Sequence, residues 1–233
     1  MKQPIRNRQG GHSPSRRALV VTSLALLPIG MGIQARAATR GGGEIHASVD
    51  AYAKACFQGS EVQHLSTDED SPSLHRVFGI ALGQEGRGRQ ALIFVLERDP
   101  GSGGLRELAR SRPFDFSDAS GRTDFEIIEA QSERRFSLQI NARSACGVHV
   151  TIYRFAQHEK GTWVLAGMDT RQPRCGENGD LELAATSSTN FLTGRRVDQA
   201  YRNDRPTRSS SRQLSFPSFP LAEFEPFDSR HHP

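Results

Sequence analysis

Ala91-Leu92-Ile93-Phe94-Val95-Leu96 is an unbroken run of six apolar residues. Successive side chains of a β-strand point to opposite faces, so a strand over this run is apolar on both faces. Such a strand must be covered on both sides. The run therefore predicts a central strand with a second layer on each face, and an N-terminal helix is one candidate cover.

The segment before this run has a helical pattern. Its apolar residues recur at steps of three and four, and they are Ile45, Val49, Tyr52, Ala53, Cys56 and Phe57. This spacing predicts a helix over 44–57 with one apolar face. Cys56 is predicted to be a buried apolar residue of that helix rather than a reactive thiol. The polar stretch 59–73 predicts a loop.

From His75 onward the pattern alternates, and clusters of Gly, Asp, Asn and Ser interrupt it regularly. This is typical of antiparallel β domains. The predicted strands are 76–82, 90–97, 106–111, 124–130, 136–142, 147–156, 163–170, 181–186 and 195–201. The predicted fold class is therefore mainly β. We expect an antiparallel meander or sandwich of about eight or nine strands, with one N-terminal helix, in a single domain over 38–202.

One hairpin predicts a disulfide. His158-Glu159-Lys160-Gly161 separates two strand-like runs, and its glycine suits the left-handed position of a short loop. A three-residue loop pairs residues whose numbers sum to about 320, so Cys146 falls opposite position 174. Cys175 is one residue away. Two cysteines this close in an oxidising compartment are expected to be bonded.

The same register predicts a shallow binding face, because it sets polar groups beside aromatic rings on the sheet. It pairs His149 with Arg171 and Thr151 with Asp169. The candidate face comprises His149, Thr151, Tyr153, Trp163, Asp169 and Arg171. An ordinary sheet rim with cross-strand pairs is the favoured alternative, since a slip of one residue would break the pattern.

Four segments of the β region carry a resemblance. They are Phe136-Ser137-Leu138, Val150-Thr151-Ile152-Tyr153-Arg154-Phe155, Trp163-Val164-Leu165-Ala166-Gly167 and Asn190-Phe191-Leu192-Thr193-Gly194. Their succession resembles secreted or periplasmic bacterial proteins of unknown function that have a C-terminal antiparallel β-meander. The resemblance covers about 92–201, and its most distinctive part is the Asn-Phe-Leu-Thr-Gly turn. It implies a fold and a compartment, and it brings no activity or catalytic residues.

The Pro/Phe-rich tail, 203–233, has a different composition. It places four phenylalanines among prolines, at positions 216, 219, 224 and 227. Exposed aromatic side chains are unfavourable, so we expect the tail to pack in extended form along the domain. A Pro-rich ligand for a protein partner is the alternative. The Arg- and Ser-rich stretch that begins the tail predicts a flexible link.

Residues 1–37 have the form of a signal peptide. A positively charged start precedes an apolar segment over 18–33, and Ala35-Arg36-Ala37 is an A-x-A cleavage site. Arg16-Arg17 before that segment resembles a twin-arginine signal. The apolar segment of about 16 residues is shorter than the roughly 20 of a spanning helix, so we expect no stable membrane span after cleavage. The predicted location is the bacterial periplasm or the medium.

Removal of the signal would change the charge of the protein. The chain has 30 basic and 26 acidic residues, and six of the basic but none of the acidic ones lie in 1–37. The remaining 24 basic and 26 acidic residues give a formal charge of −2. A nucleic-acid partner is not expected, because phosphate binding needs a basic face.

The sequence contains no compact catalytic or ligand motif. It has no Gly-x-Ser-x-Gly, His-Glu-x-x-His, phosphate-binding glycine loop or Cys-x-x-Cys. It therefore predicts no catalytic, cofactor-binding or metal-ligating residue. Two functions remain open. The favoured one is an exported, non-catalytic β domain that binds a protein, an envelope polymer or a small ligand. The other is a small periplasmic hydrolase with a site assembled from scattered residues.

The exported protein is expected to begin at or within a few residues of Ala38. There the end of the apolar segment and the small-x-small site coincide. Mass spectrometry of the protein from a periplasmic fraction measures this terminus directly. An intact chain in the membrane fraction would contradict both the predicted location and the charge of the mature protein.

Overall fold

The computed structural model describes residues 44–57, 62–67, 75–85, 88–116, 123–159, 161–176, 179–226 and 228–231. The predicted signal peptide, Lys160 and Phe227 lie outside these ranges. The described residues form two antiparallel sheets with thirteen strands in all and one α-helix, α1 (Val49–Cys56). The protein is therefore mainly β, and its strand count exceeds the predicted eight or nine.

The first sheet has the order β1-β5-β4-β3-β2, with β6 paired to β4. Its strands are β1 (Ile45–His46), β2 (Val62–Ser66), β3 (Arg76–Glu85), β4 (Gly88–Arg98), β5 (Leu105–Arg110) and β6 (Phe114–Asp115). The second sheet is a seven-stranded meander in sequence order. Its strands are β7 (Thr123–Ser132), β8 (Arg135–Ser144), β9 (Gly147–Gln157), β10 (Trp163–Cys175), β11 (Leu181–Asn190), β12 (Arg195–Arg202) and β13 (Arg205–Gln213).

Strand β4 is central and covered on both faces, as predicted. Ile93 and Val95 belong to the core between the two sheets. Leu92, Phe94 and Leu96 belong to a second core between the first sheet and α1. The molecule therefore has three layers, namely the helix, the first sheet and the second sheet.

The helix is shorter than predicted. Ser48 is its N-cap, and the Ser48 hydroxyl accepts a hydrogen bond from the Ala51 N–H at 3.1 Å. Because this cap fixes the start of the helix, Ile45 and His46 are free to pair with β5 as β1. None of the helices in the described residues has the length and hydropathy to cross a membrane.

All nine predicted strands are present, with bounds that differ by a few residues. Strands β1, β2, β6 and β13 were not predicted. Strands β1 and β6 have only two residues each, and β2 lies in the polar stretch predicted as a loop. The prediction of a flexible link at the start of the tail is wrong. Asn203 and Asp204 have φ of 50° and 57°, and this turn folds the Arg- and Ser-rich stretch onto β12 as β13.

The β9–β10 hairpin begins in the predicted register and then shifts. Gly161 has a φ of 80°, and Trp163 pairs with Gln157. Beyond Leu165 the ladder shifts by one residue at Ala166, which has no partner on β9. A β-bulge of this kind reverses which face each later residue occupies. The predicted pairs of His149 with Arg171 and of Thr151 with Asp169 are therefore wrong.

The disulfide between Cys146 and Cys175 is present, and their Cα atoms lie 4.8 Å apart. Compared with the predicted register, which set Cys146 opposite position 174, the bulge brings the two cysteines into better alignment. In the shifted register Arg171 pairs with Val150. The same register, continued to the end of the hairpin, sets Cys146 directly opposite Cys175.

The tail packs against its own domain, as expected. Phe219, Leu221 and Phe224 are buried in the core between the sheets. The Phe219 carbonyl oxygen accepts a hydrogen bond from the Leu165 N–H at 2.9 Å. The tail therefore lies beside the start of β10. The Tyr153 hydroxyl donates to the Pro226 carbonyl oxygen. These contacts make the tail a structural part of the core.

Truncation of the tail's most enclosed ring is expected to destabilise the domain strongly. Phe224 is 1% exposed and lies edge-on to Phe155 and Tyr153. Phe224→Ala should lower the free energy of unfolding by about 3–5 kcal/mol, measured by urea denaturation, because it leaves a cavity. Leu192→Ala is the control, since Leu192 is 61% exposed. Equal losses in the two variants would show that the tail does not pack in this way.

Loss of the disulfide is expected to lower stability by about 3–4 kcal/mol in the chain-entropy model, since the bridge links residues 29 apart. Urea denaturation of Cys146→Ser under oxidising conditions measures this change. Peptide mapping of the unreduced wild-type protein should recover the Cys146–Cys175 bridge and Cys56 as a free thiol. A bridge that contains Cys56 would contradict the register at this end of the hairpin.

Candidate functional site

The structure does not bring the six predicted binding residues onto one surface. Tyr153 and Trp163 are buried in the core between the sheets. Thr151 pairs with Ile140 and points with it to the inner face of the second sheet. His149 is exposed at the far end of the same face.

Asp169 and Arg171 lie on the opposite, outer face of the second sheet because of the bulge at Ala166. Asp169 forms an ion pair there with Arg154, and Arg154 Nη2 lies 3.0 Å from Asp169 Oδ1. Gly167 permits this pair, since a Cβ at Gly167 would lie 3.0 Å from Arg154 Nε. The predicted face is therefore divided between the two sides of the sheet.

A different surface arises where the second sheet extends beyond its cover. The core between the sheets contains strand residues of β7, β8, β9 and β10. Among the described residues of β11, β12 and β13, none belongs to that core. The inner face of these three strands is therefore covered only in part. Thr189 is fully buried beside Met168, whereas the inner side chains farther from the core are half-buried or exposed.

Polar side chains line this partly covered inner face in cross-strand rows. Thr170 pairs with Ser187, Ser187 with Asp198, and Asp198 with Ser210. The Thr170 and Ser187 hydroxyl oxygens lie 2.8 Å apart in a hydrogen bond. Hydroxyl and carboxylate groups of four strands thus form one continuous line.

The next row adds an amide, two small side chains and a guanidinium. It comprises Gln172, Ala185, Ala200 and Arg208, in the order of the strands. The alanines leave room above the sheet between the longer side chains on either side. These two rows, together with Arg196, border a trough of about 330 Å³ that we call the polar trough. Its volume is at the lower end of the range for ligand sites, roughly 300–1,000 Å³.

Ion pairs fix the single carboxylate among the residues that line the polar trough. Arg196 Nε lies 2.8 Å from Asp198 Oδ1, and Arg212 Nη2 lies 3.2 Å from Asp198 Oδ2. The Arg196 side chain is only 13% exposed. One Asp198 carboxylate therefore pairs with two guanidinium groups and orients both of them along the inner face.

A second polar cluster lies between α1 and β5. The Tyr52 hydroxyl donates to Glu107 Oε2 at 2.7 Å, and Arg110 Nη1 donates to Cys56 Sγ at 3.7 Å. Burial raises the pKa of the Cys56 thiol above its ordinary value, so the thiol is protonated at neutral pH. Cys56 is half-buried rather than fully buried as predicted, and its protonated thiol supports the interpretation of a structural residue over a reactive one. No group of three or more His, Cys, Asp or Glu in the described part of the chain is placed to hold a metal ion.

No family model, curated protein or solved structure matches the chain.

The polar trough was not predicted from the sequence, although its strands carry a signal for it. The residues of β11 and β12 that share the inner face are small or polar, and those of β13 are arginines and a serine. Strands of this kind cannot contribute to a core. They therefore indicate a part of the sheet with little apolar cover, but only the tertiary structure shows which face borders the trough.

Proposed function

We propose that this protein is an exported, non-catalytic β-sandwich that binds an envelope polymer in the polar trough. The observation that carries the proposal is the trough itself, where hydroxyl, amide and guanidinium groups of four strands converge on one open surface. Many donors and acceptors at fixed spacing on a rigid sheet are suited to recognition of a polar ligand.

The shape of the trough favours a polymer over a small molecule. The trough lies beside the edge strand β13, all nine residues of which are exposed. A ligand longer than the trough can therefore continue past the edge of the sheet without a clash. A small ligand on so shallow a surface would leave most of its own surface exposed to solvent.

The arrangement of charges favours binding over the hydrolase alternative. General acid–base hydrolysis needs a group that can exchange a proton with the substrate, most often one of a carboxyl pair or a histidine. Asp198 is the one carboxylate among the lining residues, and two arginines hold it. The lining residues therefore provide neither a carboxyl pair nor a histidine for this chemistry.

Export is supported by the signal-like 1–37 segment and by the Cys146–Cys175 disulfide. Disulfides persist in oxidising compartments such as the periplasm. The resemblance to exported bacterial proteins with a β-meander points to the same location. A periplasmic protein is surrounded by envelope polymers, which makes them available as ligands.

Blocking the trough is expected to abolish binding to the cell envelope. Ser187→Tyr places a large ring in the middle of the trough, whereas Ser188→Tyr places the same ring on the outer face one residue along β11. The mature protein and both variants are sedimented with isolated bacterial envelopes, and the bound fraction is measured. We expect wild type and Ser188→Tyr to sediment and Ser187→Tyr to stay in the supernatant.

Thermal unfolding of both variants controls for loss of the fold. The proposal is wrong if folded Ser187→Tyr sediments as well as wild type, or if wild type does not sediment with envelopes at all.

A further inference from the structure

The polar trough carries an excess of positive charge. Arg196 and Arg208 line it, and Arg212 reaches its carboxylate from the same face of β13. Asp198 is the acidic residue that opposes these three guanidinium groups. The local formal charge is therefore +2, although the mature chain as a whole is slightly acidic.

This positive charge is only partly satisfied within the protein. Arg196 Nη1 is buried and has no hydrogen-bond acceptor among the described residues. Arg208 faces the trough, and its guanidinium makes no ion pair with any described residue. A guanidinium presents its donors in a planar fork that matches two oxygens of a carboxylate or sulfate. The Arg208 guanidinium thus has donor capacity that an anionic group in the trough can use, whereas the buried Arg196 Nη1 is out of reach of such a group.

From this geometry we infer that the envelope polymer is an acidic oligosaccharide, whose anionic groups bind Arg208 and Arg212 and whose hydroxyls bind the row of Thr170, Ser187 and Ser210. The inference rests on the proposed function and names its ligand class. Sugar hydroxyls both donate and accept hydrogen bonds, as do the side chains of that row.

Other occupants fit these observations less well. A neutral sugar chain usually needs an aromatic ring for stacking, and the residues that line the trough include none. A second copy paired along β13 would bring one arginine-rich strand beside another. Like charges directly opposed on a sheet are destabilising. An acidic peptide also matches the arginines, but its backbone offers separate donors and acceptors, whereas each sugar hydroxyl can do both toward the row of hydroxyl groups.

Isothermal titration calorimetry of the mature protein tests the inference with four probes. Hexagalacturonate supplies carboxylates on sugar rings, and a heparin-derived hexasaccharide supplies sulfates. Maltohexaose is the neutral sugar control, and hexaglutamate is the peptide control. We expect one or both acidic sugars to bind, with an affinity that falls as salt rises, and we expect neither control to bind comparably.

Arg208→Gln and Arg212→Gln should each weaken binding of the acidic sugar by roughly tenfold or more, since a charge-assisted hydrogen bond is lost. Arg171→Gln removes the same charge from the outer face and should leave the affinity unchanged. Equal losses in Arg171→Gln and Arg208→Gln would overturn the site. Equal affinity for maltohexaose, or for hexaglutamate, would overturn the ligand class.

The two proposals can fail separately. If no acidic sugar binds while Ser187→Tyr still abolishes envelope binding, the ligand class is wrong and the binding function stands. If envelope binding does not depend on the trough either, both are wrong.

Discussion

The side chains of β4 are buried on both faces of the first sheet, and the other layers of the molecule follow from that burial. Ile93 and Val95 face the second sheet, while Leu92, Phe94 and Leu96 face the helix. Each such side chain contributes about 1.5–3 kcal/mol when it leaves water. No two-layer arrangement can bury both sets. The capped helix α1 and the meander are therefore needed together, on opposite sides of the same strand.

This constraint also explains why part of the inner face of the second sheet lacks an apolar covering layer. The first sheet covers β7 to β10, and the tail fills the remaining gap with Phe219 and Phe224. The meander then continues for three more strands, which have no apolar partner layer. Their backbone hydrogen bonds hold them in the sheet, and their inner side chains are left to interact with solvent or with a ligand. The polar trough is thus a consequence of a sheet that is wider than its core.

Most of the fold could be predicted from the sequence, because alternation and apolar runs report burial directly. The disulfide was predicted correctly from an incorrect register, since the bulge at Ala166 shifts the ladder by the one residue that separated Cys146 from its expected partner. The predicted binding face, in contrast, is lost with the same shift, because its residues then lie on both sides of the sheet. A single unpaired residue moves Asp169 to the other side of the sheet, and nothing in the local pattern of small and apolar residues marks that residue beforehand. Strand β13 was missed for a related reason: it buries no side chain, so it has no alternation to detect.

The arginines of β13 also suit an edge strand that must not pair with other chains, because charged residues and proline discourage such pairing. Protection of an edge, however, does not depend on which face the charges occupy. In this strand Arg208 and Arg212 pair with Ala200 and Arg196 and so share the inner face, whereas the intervening outer positions are Ser209 and Ser211. Asp198 then holds Arg212 and Arg196 on that face. Edge protection alone leaves this one-sided placement unexplained. The ion pairs with Asp198 account for Arg196 and Arg212, whereas Arg208 forms no such pair among the described residues and would be accounted for by the proposed anionic ligand.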